Sequence, residues 1–300
     1  MRRHFWRVIF LCFVFTSGRQ AIAQSPAGSA PAAKDDTTGM TLNASFIGSV
    51  TSGADVYDWT TTVGYVFDRH FSANLGVPIL FVRATTSTGA SSSDSGLGNI
   101  FGQLQYVDKN HVLNFGAVGT LALPTGDSSK GLSTGRVTFD ATGQVAKPLG
   151  RLTPFLSAGV ANSIFDTRYW QRPYITLGDV AHLEGGASFA VGRSLTVSAS
   201  AYDIAPWGSQ KLYSRVVGQG ISNGTASKHG RVYLDNGTTS GGAALDGDHG
   251  FNADLDFTPI KYLDFDFGYT RSVYFQTGIF SFAVGFNLTP LLRRSGISGH

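Results

Sequence analysis

Cysteine is all but missing from this 300-residue sequence: Cys12 is the single example, and it stands in an apolar run close to the start. Disulfides and thiolate metal sites are thereby excluded from everything after that run. Charge is scarce as well. Asp, Glu, Lys and Arg make up 14% of the chain, against about 25% in ordinary globular domains, which argues against a disordered chain and a nucleic-acid binder. After the first residues there is also no stretch of the ~20 apolar residues that a spanning helix needs. The formal charge of +3 misleads. Arg2, Arg3, Arg7 and Arg19 lie in a leader, and without them 19 Lys and Arg face 20 Asp and Glu. No basic footprint for nucleic acid or anionic lipid remains.

The leader itself, residues 1–23, has a cationic start, an apolar run over Val8–Phe15 and a small-residue exit at Ala21-Ile22-Ala23. That three-part order is the pattern of a secretory signal peptide, and the apolar run is too short for a membrane anchor. Residues 24–39 are small, polar and Pro-containing and read as a flexible lead-in. An exported chain without thiols points to the bacterial envelope.

What the sequence has in abundance is alternation. From Met40 to Leu288 the hydrophobic period is two rather than 3.6. Phe280, Phe282, Val284, Phe286 and Leu288 alternate with Ser281, Ala283, Gly285 and Asn287; Leu263, Phe265, Phe267 and Tyr269 alternate with Asp264, Asp266, Gly268 and Thr270. Twelve segments of this kind fall near 40–50, 56–68, 70–83, 97–107, 111–123, 136–147, 152–163, 179–191, 194–205, 250–258, 261–272 and 277–288. Most reach the ~9–11 residues with which a tilted strand crosses a bilayer.

Alternation alone also fits a soluble barrel or a sandwich. Three features favour a transmembrane, antiparallel, up-and-down β-barrel of about 12 strands over residues 40–288. The off-face is small, polar or charged, as a watery lumen would be. Connections alternate between long (Thr85–Gly96, Pro124–Gly135, Ile164–Gly178, Pro206–His249) and tight (Asp108–Asn110, Pro148–Arg151, Gly192-Arg193, Thr258–Ile260). Aromatics gather near the segment ends, with Trp59, Trp170 and Trp207 on the long-loop side and Tyr65, Phe67, Tyr106 and Tyr262 on the short-turn side, as interfacial girdles do. The underlying reason is backbone satisfaction, because lipid offers N–H and C=O groups no partner and only an edgeless cylinder of strands can span it.

Two short motifs carry a resemblance. Gly96-Leu97-Gly98-Asn99 opens one segment, and Leu123-Pro124-Thr125-Gly126-Asp127 closes the next, followed by the loop Gly131–Gly135. This stretch resembles the outer-membrane barrel family named for a putative meta-pathway of phenol degradation, often labelled transporter. Asn99 departs from it by standing where the family has an entry Asp. The resemblance implies an outer-membrane barrel passing aromatic or other hydrophobic compounds, and no catalytic residues. The tail 289–300 is a departure from barrels that end on an aromatic residue read by the assembly machinery; Phe286 is the internal candidate for that role.

With the apolar face outward, the inward set becomes readable. Lumen-lining candidates are Asp58, Arg136, Asp140, His182, Glu184, Tyr202, Asp254, Asp256, Asp264 and Asp266. Four of these aspartates lie on two adjacent segments near the short-turn end. They form either an acidic constriction favouring cations or a set of carboxylates paired with inward Arg or Lys. Arg136 and Asp140 are four apart and are expected on one strand face. His182 and Glu184 share a face too, which raises a lipid hydrolase as an alternative, with Ser188, Ser198 and Ser200 as the available hydroxyls. No Gly-x-Ser-x-Gly elbow accompanies them. The histidines are scattered without ligand spacing, so neither metal nor cofactor is expected.

At the outer rim Arg168, Tyr169, Trp170 and Arg172 form an aromatic and cationic cluster, expected to capture a solute. Residues 206–249 are long enough to fold inward as a plug or outward as a hairpin, with Lys211–Val217 and Arg231–Leu234 as possible pairing arms. The expected function is passive diffusion of small hydrophobic or aromatic compounds, with no enzymatic activity. Lipid, the solute and the barrel-assembly machinery are the expected partners.

Overall fold

The computed structural model describes residues 38–51, 54–85, 91–109, 112–168, 170–215 and 237–290. The leader, Tyr169, Arg231–Leu234 and most of the tail therefore lie outside the described residues. In chain order the strands are β1 (Gly39–Val50), β2 (Ala54–Val66), β3 (Phe71–Thr85), β4 (Ser91–Leu97), β5 (Phe101–Lys109), β6 (Asn114–Ala122), β7 (Thr138–Ala146), β8 (Leu152–Ala161), β9 (Tyr174–Leu177), β10 (Val180–Ala190), β11 (Leu195–Pro206), β12 (Gln210–Ser214), β13 (Thr238–Gly241), β14 (Asp248–Ile260), β15 (Leu263–Ser272) and β16 (Thr277–Asn287).

Twelve antiparallel crossings close into a transmembrane barrel. Neighbours pair in sequence order, and β1 pairs with β16 from Asn43↔Asn287 to Val50↔Phe280, which removes the last free edge. The alternation sets the faces. On β14, Phe251, Ala253, Leu255 and Phe257 are exposed, while Asn252 and Asp254 are buried. Leu104 and Phe280 remain 57% and 66% exposed despite their size, because their partner is lipid rather than protein. Inward positions carry Thr, Ser, Asn and Gln, among them Thr41, Asn43, Ser45, Thr60, Thr62, Gln103 and Gln105.

β4 and β5 are two halves of one crossing. Both pair with β3, β4 through Ile79–Thr85 and β5 through Phe71–Gly76. The stretch Thr85–Gly96, expected as a loop, is instead mostly a continuation of this hairpin. Arg136 is a second correction. It is exposed and precedes β7, which starts at Thr138, so it shares no strand face with Asp140.

A second, three-stranded sheet, β13-β12-β9, is built entirely from the two longest connections. β12 pairs with β13 through Lys211↔Ser240 and with β9 through Leu212↔Thr176. Of the two expected arms Lys211–Val217 and Arg231–Leu234, the first thus pairs with 174–177 and 238–241. Leu212 and Thr176 are fully buried. The inward apolar residues Val56, Leu80 and Val82, which would sit badly in an empty watery lumen, pack with Leu132 from the β6–β7 connection. At Gly131 the backbone has φ +66, and a Cβ there would run into the Ser214 carbonyl; glycine is what lets these two connections meet.

Candidate functional site

The connection between β8 and β9, residues 162–173, enters the lumen from the long-loop end. It is cross-tied before it meets the wall. The Ser163 hydroxyl donates to the Thr176 carbonyl (2.7 Å), the Ile164 N–H donates to Thr176 Oγ1 (2.8 Å), and the Arg172 guanidinium donates to the Phe165 carbonyl (2.8 Å). Arg172 also lies 4.1 Å from the centre of the Trp170 ring, a cation–π contact. Arg215, just after β12, donates to Asp166 (2.6 Å) and to the Arg172 carbonyl (2.7 Å), binding the second long connection to the first.

Two contacts fasten this assembly to the barrel. The Gln171 N–H donates to Ser49 Oγ on β1 at 2.7 Å. Arg168 pairs with both Asp264 and Asp266 on β15, and Asp254 and Asp256 lie within electrostatic reach of the same cation. Asp264 and Asp266 are the second and fourth residues of β15 counted from its short-turn end, so the guanidinium has travelled into the far half of the lumen. Arg168, Trp170 and Arg172 are 9%, 6% and 4% exposed. The rim position expected for them is therefore corrected: four inward carboxylates draw the loop down, since an acidic wall in a confined lumen needs a counter-charge.

Opposite the loop the wall carries two polar networks. Asp140 on β7 accepts from Thr142 Oγ1 at 2.6 Å and is paired with His182 Nε2 of β10 at 2.7 Å. Glu184 accepts from Ser200 Oγ at 2.6 Å and from Asn252 Nδ2 at 3.3 Å, and Asn252 Oδ1 accepts from Thr270 at 2.8 Å. Higher on β11, Tyr202 donates to Asp248 at 2.9 Å, and Ser272 donates to the same carboxylate at 2.6 Å. Between wall and loop lies a cavity of about 110 Å³, with Asp140, His182 and Glu184 on one side and Ile164, Phe165, Arg168, Trp170 and Arg172 on the other.

This arrangement is poor for nucleophilic catalysis. His182 spends Nε2 on Asp140, so the nitrogen nearest a hydroxyl is not free to act as base. Ser200 stands opposite Gly186, four residues along β10 from His182, which is roughly 13 Å of strand, and its hydroxyl is bound to Glu184. Among the described residues, no group of three or more His, Cys, Asp or Glu is arranged to hold a metal ion.

Of the inward candidates, Asp140, Asp254, Asp264 and Asp266 are buried in the lumen, and His182, Glu184 and Tyr202 line the cavity. Asp58 lines a second cavity of about 70 Å³ that Asp166 and Arg215 border as well. Sequence reasoning missed Asp166, Gln171, Arg215 and Asp246. Only Asp246 and Asp248, two acids in a Gly-rich connection, left a local trace.

Asp246 is fully buried in the short turn between β13 and β14, and neither carboxylate oxygen has a hydrogen-bond partner on another residue. Burial pushes its acid up to about 7, against a weaker opposing pull from Arg172. The sign follows from linkage. Between the ordinary value and about 7 the docked turn holds a proton that the undocked one has lost, so docking weakens as pH rises through that window and levels off above it. Hydrogen exchange of residues 238–248 is expected to speed up from pH 5 to pH 8 beyond the intrinsic chemical rate. Asp246→Asn should flatten that excess, and an unchanged profile would contradict the assignment.

Known proteins agree with this architecture. The family model described as "Putative MetA-pathway of phenol degradation" matches residues 30–158. No curated protein matches the sequence. Among solved structures, the COG4313 outer membrane channel from Pseudomonas putida F1 superimposes with a TM-score of 0.55 at 11% identity, covering 87% of this chain and 100% of that one. The KdgM porin in complex with disordered oligogalacturonate reaches 0.46 at 9% identity, with 81% and 98% covered. The NanC porin gives 0.46 at 7% identity over the same shares, 81% and 98%. The first similarity concerns the fold; the other two are too distant to carry an argument.

Proposed function

We infer, from a chain whose residues 30–158 match the "Putative MetA-pathway of phenol degradation" family model, that this barrel is an outer-membrane channel for small uncharged aromatic or hydrophobic solutes. Passage is by passive diffusion, and the two long connections close the lumen at rest. The observation that carries the reading is the cavity of about 110 Å³ between wall and loop, where Ile164, Phe165 and Trp170 supply apolar surface beside Ser163, Thr167, Arg168 and Arg172. A solute with an aromatic body and little polarity is matched by the loop side through burial of apolar area.

Recording from planar bilayers tests this. Barrels opened by replacing Arg168 with Ala should show ion current that benzyl alcohol blocks in a concentration-dependent way, while glucose at the same concentration leaves it unaffected. Equal block by both solutes would remove the apolar preference. A silent bilayer under all conditions would favour a structural barrel with a permanent plug. The hydrolase alternative has no support in the arrangement of His182 and Glu184.

A further inference from the structure

The two motifs behind the family resemblance belong to different crossings, yet they meet in the wall. Gly98-Asn99-Ile100 separates β4 from β5, and Leu123–Asp127 follows the end of β6. Among the described residues no other crossing is interrupted in mid-strand. The interruption has a cross-strand cause. Pro78 on β3 lies opposite it, and proline has no N–H to give a ladder; what remains is one bond, from the Gly98 N–H to the Pro78 carbonyl (2.9 Å).

On the other side β6 ends at Ala122, paired with Phe101. Above that pair the seam is held by the Leu123 N–H donating to the Ile100 carbonyl (2.8 Å), by the Lys130 ammonium donating to Asp94 on β4 (2.9 Å) and by one threonine. Thr125 Oγ1 accepts from the Ile100 N–H (2.9 Å) and donates to the Gly98 carbonyl (2.9 Å).

The seam lies at lipid depth. Pro78 is seven residues along β3 from Phe71, roughly 18 Å above the short-turn end for a strand tilted by about 40°, inside an apolar band about 25 Å tall. Ile79, Leu97, Leu121, Leu123 and Val137 present exposed apolar side chains around it. Directly behind it is the second cavity, about 70 Å³, lined by Pro78, Asn99, Phe101, Ala122, Leu132 and Thr138. An apolar outer approach, the weakest part of the wall and an inner void are thus in line.

We propose that this seam is a lateral port through which small uncharged apolar solutes exchange between the lumen and the surrounding lipid, with Thr125 as its clasp. The port rests on the channel reading above and gives its solutes a route that avoids the hydrated axis. It is tested in whole cells with N-phenyl-1-naphthylamine, an uncharged dye that fluoresces on reaching membrane interior. Cells carrying the barrel should take up dye faster than cells without it. Thr125→Val should raise the rate several-fold, and Thr125→Ser should leave it at the native level. Ala122→Phe, which fills the inner void, should return uptake to the level of cells without the barrel; Thr138→Phe, facing the same void from β7, is the second variant should the first fail to fold.

Each variant is also combined with Arg168→Ala and its ion conductance recorded. Conductance should be unchanged by the position 122, 125 and 138 substitutions. Native dye uptake in a folded Ala122→Phe or Thr138→Phe barrel, or parallel loss of dye uptake and conductance, would overturn the port. Absence of conductance alone, with the dye pattern intact, would count against the axial channel and leave the port standing.

Discussion

Arg168→Ala barrels in a planar bilayer are expected to open in long, discrete conductance steps where the native barrel stays shut for most of the recording. The argument is one of uncompensated charge. Arg168 faces Asp264 and Asp266 with all three side chains no more than 9% exposed, so its removal leaves two carboxylates buried without their cation. Breaking a buried pair from one side costs about 3–5 kcal/mol. At about 1.4 kcal/mol per factor of ten, the balance between docked and withdrawn loop shifts by roughly two to four powers of ten. Arg168→Lys keeps the charge but loses the planar fork that serves two carboxylates at once, and its open fraction should lie between the other two. An Arg168→Ala barrel as quiet as the native one would show that the loop is held by packing instead.

Once opened, the lumen should prefer cations. With Arg168 gone, Asp254, Asp256, Asp264 and Asp266 project inward from two adjacent strands without a guanidinium among them, and such groups set the selectivity of a narrow pore. In a tenfold gradient of potassium chloride, the reversal potential of the Arg168→Ala channel should move toward the potassium equilibrium value. Adding Asp264→Asn and Asp266→Asn should bring it back toward zero. High salt should shrink the difference, since screening shortens the reach of each charge to a few ångströms. Anion preference in the Arg168→Ala channel would mean that the acidic strands do not line the path taken by ions.

The barrel was legible because it depends on neighbours in the chain. A period of two places Phe251, Leu255 and Phe257 on one face and Asn252 and Asp254 on the other whatever the strands' partners are, and tight turns such as Gly192-Arg193 mark where the chain reverses. The acidic pair Asp264 and Asp266 could be placed inward on the same grounds. What filled the lumen was not legible. Arg168 and Trp170 have the composition of a rim girdle, and the carboxylates that draw Arg168 inward, Asp254 to Asp266, all lie far along the chain, Asp264 96 residues away. Arg136 shows a smaller failure of the same kind. Its parity matches that of Asp140, but strand pairing ends at Thr138, which only the partner strand decides. The break between β4 and β5 originates in Pro78, on a different strand from the residues it disrupts.

The inward position of the β8–β9 loop is the claim on which the closed lumen, the Arg168 ion pair and both cavities depend. It can be tested in cells by pairing Ser49→Cys with Gln171→Cys, since the sequence has no other cysteine besides Cys12 and the two native residues are joined by a 2.7 Å hydrogen bond. A mild oxidant should produce an intramolecular disulfide in most molecules, visible as a faster band on a non-reducing gel, and should keep an Arg168→Ala barrel shut until reductant is added. Two free thiols that react fully with a bulky membrane-impermeant maleimide at position 171 would place the loop outside, and the account of a plugged channel would be wrong.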